Sequence, residues 1–277
     1  MSRRELKEVS EMLVAVKGGG DLGTGVAHRL FMAGLRVVVL EKSTPTMLRR
    51  AVSFAEAVYS GSIIVEGVEA RRVEGYEEAL EAASARRFVP VLVDEQWGFI
   101  KWARPDVVVD AVMARRNLGT RIDEAFIVVA LGPGFEAGRD VHAVVETKRG
   151  PEMGKVIYEG SAKPSDGVPE EAGGETWRRV ARAPIDGVFQ PLREIAEFVE
   201  EGNVLGVVSG VPIRSLVKGV VRGILHGGLW VQRGRKVAEV DPTGRRELCF
   251  TMSDRARAVA GGVLEAILRL RRLAKLA

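Results

Sequence analysis

One cysteine in 277 residues, Cys249, is too few for an intramolecular disulfide or for a zinc site built from several thiolates. The expectation is a reducing compartment, and the cytoplasm fits it. No stretch reaches the roughly twenty uninterrupted apolar residues that a membrane helix needs, and residues 1–11 mix charges of both signs without a signal-peptide run. No membrane partner is expected. A Walker A motif, a zinc-protease motif and a Ser-His-Asp spacing are also missing, so hydrolysis by those routes has no support. The formal charge of +4 is modest, and Arg255, Arg257, Arg269, Arg271, Arg272 and Lys275 follow a helical spacing. That pattern reads as a solvated helix face, and no nucleic-acid partner is expected.

What is present is enough apolar material, 46% of the chain, for one large or two ordinary domains. Residues 12–17 form a short apolar run ending in glycines, as a buried parallel strand does when it feeds a tight turn. Val26, Leu30 and Ala33 follow at helical spacing before Gly34, and residues 35–40 return as a strand. A polar helix at 75–86 and strands at 89–93, 107–109, 126–131 and 141–146 continue the alternation. Repeated β/α order predicts a Rossmann-like, doubly wound parallel sheet. Residues 62–73 alternate around Gly67 and predict a β-hairpin insertion in it.

Between 161 and 176 the composition shifts to Pro, Gly, Ser and Glu. The expected division is a nucleotide-binding domain at 1–165, a β module at 166–245, and a strand and helix at 246–277 packing back on the first domain. Inside the β module, residues 185–208 and 217–240 match at an offset of 32 residues, pairing Gly187 with Gly219, Val199 with Val231 and Gly202 with Gly234. Each half reads as strand, turn, strand, and the pair resembles the barrel-sandwich hybrid of biotinyl and lipoyl carriers. Those carriers attach their cofactor to a lysine at a hairpin tip, which here falls near Val208, Ser209 and Gly210. No lysine lies there. Residues 253–275 predict a helix capped by Ser253.

The sharpest motif is Gly18-Gly19-Gly20-Asp21-Leu22-Gly23, a G-x-G-x-x-G between a strand and a helix. Gly18, Gly20 and Gly23 let backbone approach a phosphate, whose charge the helix N-terminus stabilises. Glu41, at the end of the second strand, is placed for a ribose diol, which favours an NAD-type nucleotide. Asp21 would repel a pyrophosphate and suggests a second ligand. After the strand at 107–109 come Asp110, a candidate base, and Arg115, Arg116 and Asn117, candidate anion clamps; after 126–131 come Gly132 and Gly134 in a shaped loop. His142 is a second catalytic candidate. His142 and Glu146 could meet a metal, but strand alternation explains Asp140 and His142, and no metal site is expected. Cys249, between Leu248 and Phe250, reads as inert packing.

The run from Lys17 to Leu30 resembles the opening of the selenium-dependent molybdenum hydroxylase system proteins, the YqeB-like family. Further blocks agree: Pro45-Thr46, Arg49 to Phe54, Glu56 to Tyr59, Arg116 to Thr120, Leu131 to Phe135, Asp140 to Thr147, Ala183 to Gly187, and Phe250 to Asp254. The sequence departs from that family at Pro151, where a histidine follows the Arg-Gly pair, so no role passes to that position. The resemblance implies an accessory protein for maturing molybdenum hydroxylases, akin in role to xanthine dehydrogenase accessory factors, with a hydroxylase client as partner. A molybdopterin dinucleotide then competes with NAD for the glycine turn. Two alternatives stand beside it: an NAD-dependent oxidoreductase in which Asp110 or His142 moves the proton, and a structural protein whose turn holds nothing. Oligomeric state is left open, a homo-oligomer included.

Overall fold

The structure, a computed structural model, describes residues 8–114, 116–169 and 171–276, with side chains to residue 274. The chain divides into two units. One holds the residues up to Ser43, Phe54–Ser165 and those from Met252 on; the other holds Thr44–Ser53 and Asp166–Thr251.

The elements of the first unit are β1 (Leu13–Lys17), α1 (Asp21–Met32), β2 (Arg36–Glu41), α2 (Ala57–Ser60), β3 (Ser62–Val65), β4 (Val68–Val73), α3 (Tyr76–Ala85), β5 (Val89–Val93), α4 (Gly98–Ala103), β6 (Val107–Asp110), β7 (Ile127–Leu131), β8 (Ala143–Val145), β9 (Val156–Ile157) and α5 (Asp254–Leu276). They build a nine-stranded mixed sheet in the order β3-β4-β5-β2-β1-β6-β7-β8-β9. From β4 to β8 every neighbouring pair is parallel, while β3 and β9 add antiparallel edges. All five residues of β1 are buried, as a central parallel strand covered on both faces requires. Glu66 and Gly67, at φ 45° and 83°, make the tight turn between β3 and β4.

The helix α1 starts after its N-cap Gly20 and buries Leu22, Val26 and Leu30. It stops where Gly34 turns to φ 86° and Leu35 donates back to the Leu30 carbonyl. Ser253 caps α5, its hydroxyl accepting the Ala256 amide at 3.0 Å. Close backbone approach then joins α1 to α5, and α5 to the turn before β9: a Cβ on Gly25 would stand 2.8 Å from the Ala256 carbonyl oxygen, and one on Gly262 would stand 2.2 Å from that of Gly154. Glycine inside a helix costs about 1 kcal/mol against alanine. Here it admits contacts that no side chain would permit.

The second unit holds β10 (Val180–Arg182), β11 (Gly187–Pro191), β12 (Phe198–Val199), β13 (Val204–Val208), β14 (Val211–Arg214), β15 (Gly219–Ile224), β16 (Trp230–Val231) and β17 (Lys236–Asp241). They form two antiparallel four-stranded sheets, β10-β17-β15-β12 and β14-β13-β11-β16. The repeat is visible in the register: β11, β12 and β13 correspond to β15, β16 and β17, and each half lends its short middle strand to the other. Gly187 pairs with Val231, and Val199 pairs with Gly219. Gly187 and Gly219 share φ 155° and 156°, and added Cβ atoms would strike Ser209 Oγ and the Asp241 carbonyl, both at 2.2 Å. The core comprises Phe189, Leu205, Val208, Val221, Ile224, Val237 and Val240. Residues 44–53 belong here because Leu48 accepts the Ile224 amide and Arg50 Nε donates to the Ile224 carbonyl.

Three expectations are corrected. The C-terminal strand is absent among the described residues; Arg246–Cys249 is a 3₁₀ turn closed by local bonds from Leu248 and Phe250 to Arg245 and Glu247, and only Cys249 of its apolar trio is buried. The β/α alternation expected along the sheet breaks after β6, because the connection to β7 has no helix among the described residues and is held by Asn117. The strand expected at 141–146 shrinks to Ala143–Val145, and at its start the Val128 amide of β7 is taken by the His142 ring nitrogen Nδ1 in place of a backbone carbonyl.

Candidate functional site

The strand order reverses at β1, whose neighbours β2 and β6 lie to either side. Crevices outside the carboxyl ends of strands at such a point receive ligands in open α/β sheets. There the glycine turn leaves β1. Gly18 takes φ 89°, where a side chain is strained, and a Cβ there would be crowded at 3.1 Å from the Ala111 carbonyl oxygen. Gly23 lets α1 rise directly over it, since a Cβ there would stand 2.0 Å from the Gly18 oxygen. Thr24 fastens the turn from behind by donating to the Gly19 carbonyl at 2.9 Å and accepting the Phe54 amide at 2.8 Å.

Among the described residues no side chain is bonded as a cap of α1. Among the described residues the amides of Gly20, Leu22 and Gly23 have no acceptor, which is the donor set an anion needs at a helix N-terminus. Gly20 itself is in ordinary extended backbone, at φ −68°. Glu41 is less available than its position suggested. Its carboxylate accepts Gly19 N–H at 2.8 Å and Lys42 N–H at 2.9 Å, and burial pushes its pKa up, partly offset by those two bonds. A ribose diol would share this carboxylate with the turn. Asp21 stands at the first position of α1, half-buried.

Beside the turn, β6 ends in Asp110, which is only 4% exposed. One of its oxygens accepts the Thr120 hydroxyl at 2.6 Å and the other the Val112 amide at 3.1 Å. Thr120 in turn accepts Lys17 Nζ at 2.8 Å, and Lys17, 1% exposed at the end of β1, is neutralised by Glu124 at 2.7 Å. Thus Asp110 is held by a buried chain of donors ending in an ion pair. Sequence reasoning missed Lys17, Thr120 and Glu124 as a unit; the available signal was a lysine closing an apolar strand directly before a glycine.

Asn117 organises the loop by accepting the Gly119 and Thr120 amides and donating to the Thr120 carbonyl, so it shapes backbone and does not reach outward. Arg116 is exposed. Its backbone lies over Gly134, where a Cβ would come within 3.0 Å of the Arg116 Cα, and Gly132 packs on Thr147 Oγ1 in the same way. The loops carrying Gly18–Gly20, Asp110–Thr120 and Gly132–Gly134 therefore gather at one sheet edge. Arg115 lies outside the described residues.

His142 is not among them. Its amide and Nδ1 pair with the carbonyl and amide of Val128 near the opposite, amino-terminal end of β7. Burial lowers its pKa, and the bond from a backbone N–H keeps Nδ1 without a proton. Glu146, 2% exposed, accepts the amides of Lys148 and Lys163, a structural role in shaping the loop after β8. Among the described residues no group of three or more His, Cys, Asp or Glu side chains could hold a metal. Cys249 is fully buried beneath β15, and burial raises its pKa.

With the geometry in place, comparison with known proteins bears on one point. No family model matches the chain. Over 258 residues, 93% of its length, it is 45% identical to YqeB of Escherichia coli (strain K12), itself uncharacterized. That likeness supports a YqeB-like family. The chain spans 48% of that relative, about half its length. Solved structures with partial likeness are an aspartoacylase family protein from Mesorhizobium loti (11% identity, TM-score 0.26) and the ectoine utilization protein EutE from Ruegeria pomeroyi (14%, 0.26), each covering 83% of this chain and 85% of its own. At those scores the likeness carries no argument. No described helix is long and apolar enough to cross a membrane.

Proposed function

We propose that the first unit is a Rossmann-like domain that holds a phosphate-bearing nucleotide, NAD-type or molybdopterin dinucleotide, at the turn Gly18–Gly23. The observation carrying this reading is the set of acceptor-free amides at Gly20, Leu22 and Gly23, opening α1 beside the strand-order reversal. A bound dinucleotide would supply its own chemistry. This chain's residues would seat its phosphate on the α1 amides, orient its ribose at Glu41 and present Asp110, fixed by Thr120, at the strand edge. Those residues suit holding a cofactor better than transforming a substrate, since Asp110 has a donor on each oxygen and His142 lies at the far end of β7.

The chain serves, in this proposal, as an accessory protein in the maturation of molybdenum hydroxylases. The sequence blocks around the glycine turn, Arg116–Thr120 and Leu131–Phe135 support it, together with the likeness to YqeB. The β module, read as a barrel-sandwich hybrid, has Ser209 and Gly210 at its hairpin tip and no lysine there for a carried cofactor, which favours a docking or clamping role.

Gly20→Val tests the site. Extended backbone at Gly20 accepts valine without backbone strain, so the substitution should block approach of phosphate, and the melting temperature measured beside it checks that the fold is kept. Calorimetry with NAD and with the small molecules released from the purified protein should show at least a hundredfold loss of affinity. Wild-type affinity in the variant would place the ligand elsewhere. For the accessory role, deletion should lower hydroxylase activity and cofactor content in the host; unchanged values would remove it.

A further inference from the structure

A cleft of about 940 Å³ opens between residues 96–105 and 119–126 of the first unit, lined among others by Trp97, Ile100, Lys101, Arg104, Glu124 and Phe126. Its volume is that of a small-molecule site. Three features say what such a molecule would be.

The first is charge. Arg121 is matched by Asp123 at 2.6 Å, and Glu124 is neutralised by Lys17 at 2.7 Å. Among the described residues Lys101 and Arg104 have no ion pair or side-chain hydrogen bond, so the cleft carries two uncompensated cations. The second is aromatic surface. Phe126 is 40% exposed, and Trp97 is half-buried with the Lys17 ammonium 5.5 Å from its ring centroid. The third is backbone strain. Trp97 and Arg104 cap the two ends of α4, and both hold left-handed conformations, φ 57° and 48°. Bulky residues are rare there, and glycine or asparagine would sit without strain. Both residues line the same cleft, the pattern found where a strained backbone conformation is held for binding.

We propose that this cleft is a second ligand site, separate from the glycine turn, for a small planar aromatic anion. The ring would lie between Trp97 and Phe126, and the negative group would meet Lys101 and Arg104. The inference does not rest on the reading of the turn.

The probe is 1-naphthyl phosphate, titrated calorimetrically into the full chain beside 1-naphthol and inorganic phosphate. The naphthyl phosphate should bind at least tenfold tighter than either fragment, because only it engages both the rings and the cations. Lys101→Gln combined with Arg104→Gly should weaken it at least tenfold. Glycine at 104 suits the left-handed backbone, so the melting temperature should hold or rise, and a loss of binding cannot be laid to unfolding. Gly20→Val should leave this binding unchanged. The proposal is overturned if the probe fails to bind at millimolar concentration, if 1-naphthol binds as tightly, if the double variant keeps wild-type affinity, or if Gly20→Val abolishes it. The last outcome would assign the probe to the turn and leave the nucleotide reading standing.

Discussion

Lys17 shows how much one residue can hold and how little of it a sequence announces. A lysine that is 1% exposed must have its charge matched, and its partners Thr120 and Glu124 lie 103 and 107 residues away. No spacing rule reaches that far. The glycines, by contrast, were legible because their reason is local: Gly18 needs positive φ, and Gly23 sits one helical turn above it. Glu41 was legible in place but not in occupation, since its bond to Gly19 depends on how the turn folds back onto β2. Replacing Lys17 with Met should destabilise the protein by about 2–4 kcal/mol, somewhat below the usual cost of breaking a buried pair because Glu124 retains some contact with water. Adding Glu124→Gln should restore a good part of that loss, because it removes the stranded charge. Urea denaturation of the single and double variants measures both. Equal stability of Lys17→Met and wild type would mean that the ion pair contributes nothing net.

At the scale of elements, the strands and helices that obey a period were readable: β1, α1, β2, the β3–β4 hairpin, α3, β5 and the Ser253-capped α5. What escaped was set by contacts between elements. The helix α4 is too short to show a period, and the exchange of β12 and β16 between the repeat halves follows from register, which the 32-residue offset alone does not specify. The glycines within α1 and α5 likewise acquire meaning only in pairs. Gly25→Val should push valine carbons into the Ala256 backbone, already within 2.8 Å of where a Cβ would begin. Such overpacking costs about 1–3 kcal/mol, and the thermal midpoint should fall accordingly. Gly261, whose added Cβ would meet nothing within 4 Å, is the control: Gly261→Ala should hold or raise the midpoint. Equal loss in both variants would deny that the α1–α5 contact is the cause.

At the scale of the whole molecule, the two units are not two consecutive stretches of chain. The composition shift at 161–176 coincides with the passage from Ser165 to Asp166, yet residues 44–53 are built into the second unit and α5 into the first. Sequence reading could find the linker because proline and glycine mark it locally. It could not find the interleaving, which depends on Leu48 and Arg50 bonding to Ile224 and on Arg49 donating to the carbonyls of Leu248 and Thr251. A physical consequence follows for a chain cut in that linker. Glu171 is exposed within irregular backbone, so a glutamate-specific protease at low dose should cleave beside it before the strands and helices. The amino-terminal fragment would then keep residues 44–53 inside the β unit of the carboxyl-terminal fragment. That fragment would keep α5 packed along α1 through Gly25 and Ala256. Two separate sets of buried contacts must break before the pieces part. The nicked protein should therefore elute from a sizing column at the volume of the intact chain, and resolve into two fragments only in denaturant. Separation under native conditions would show that neither exchanged segment is held as tightly as its hydrogen bonds and close contacts require.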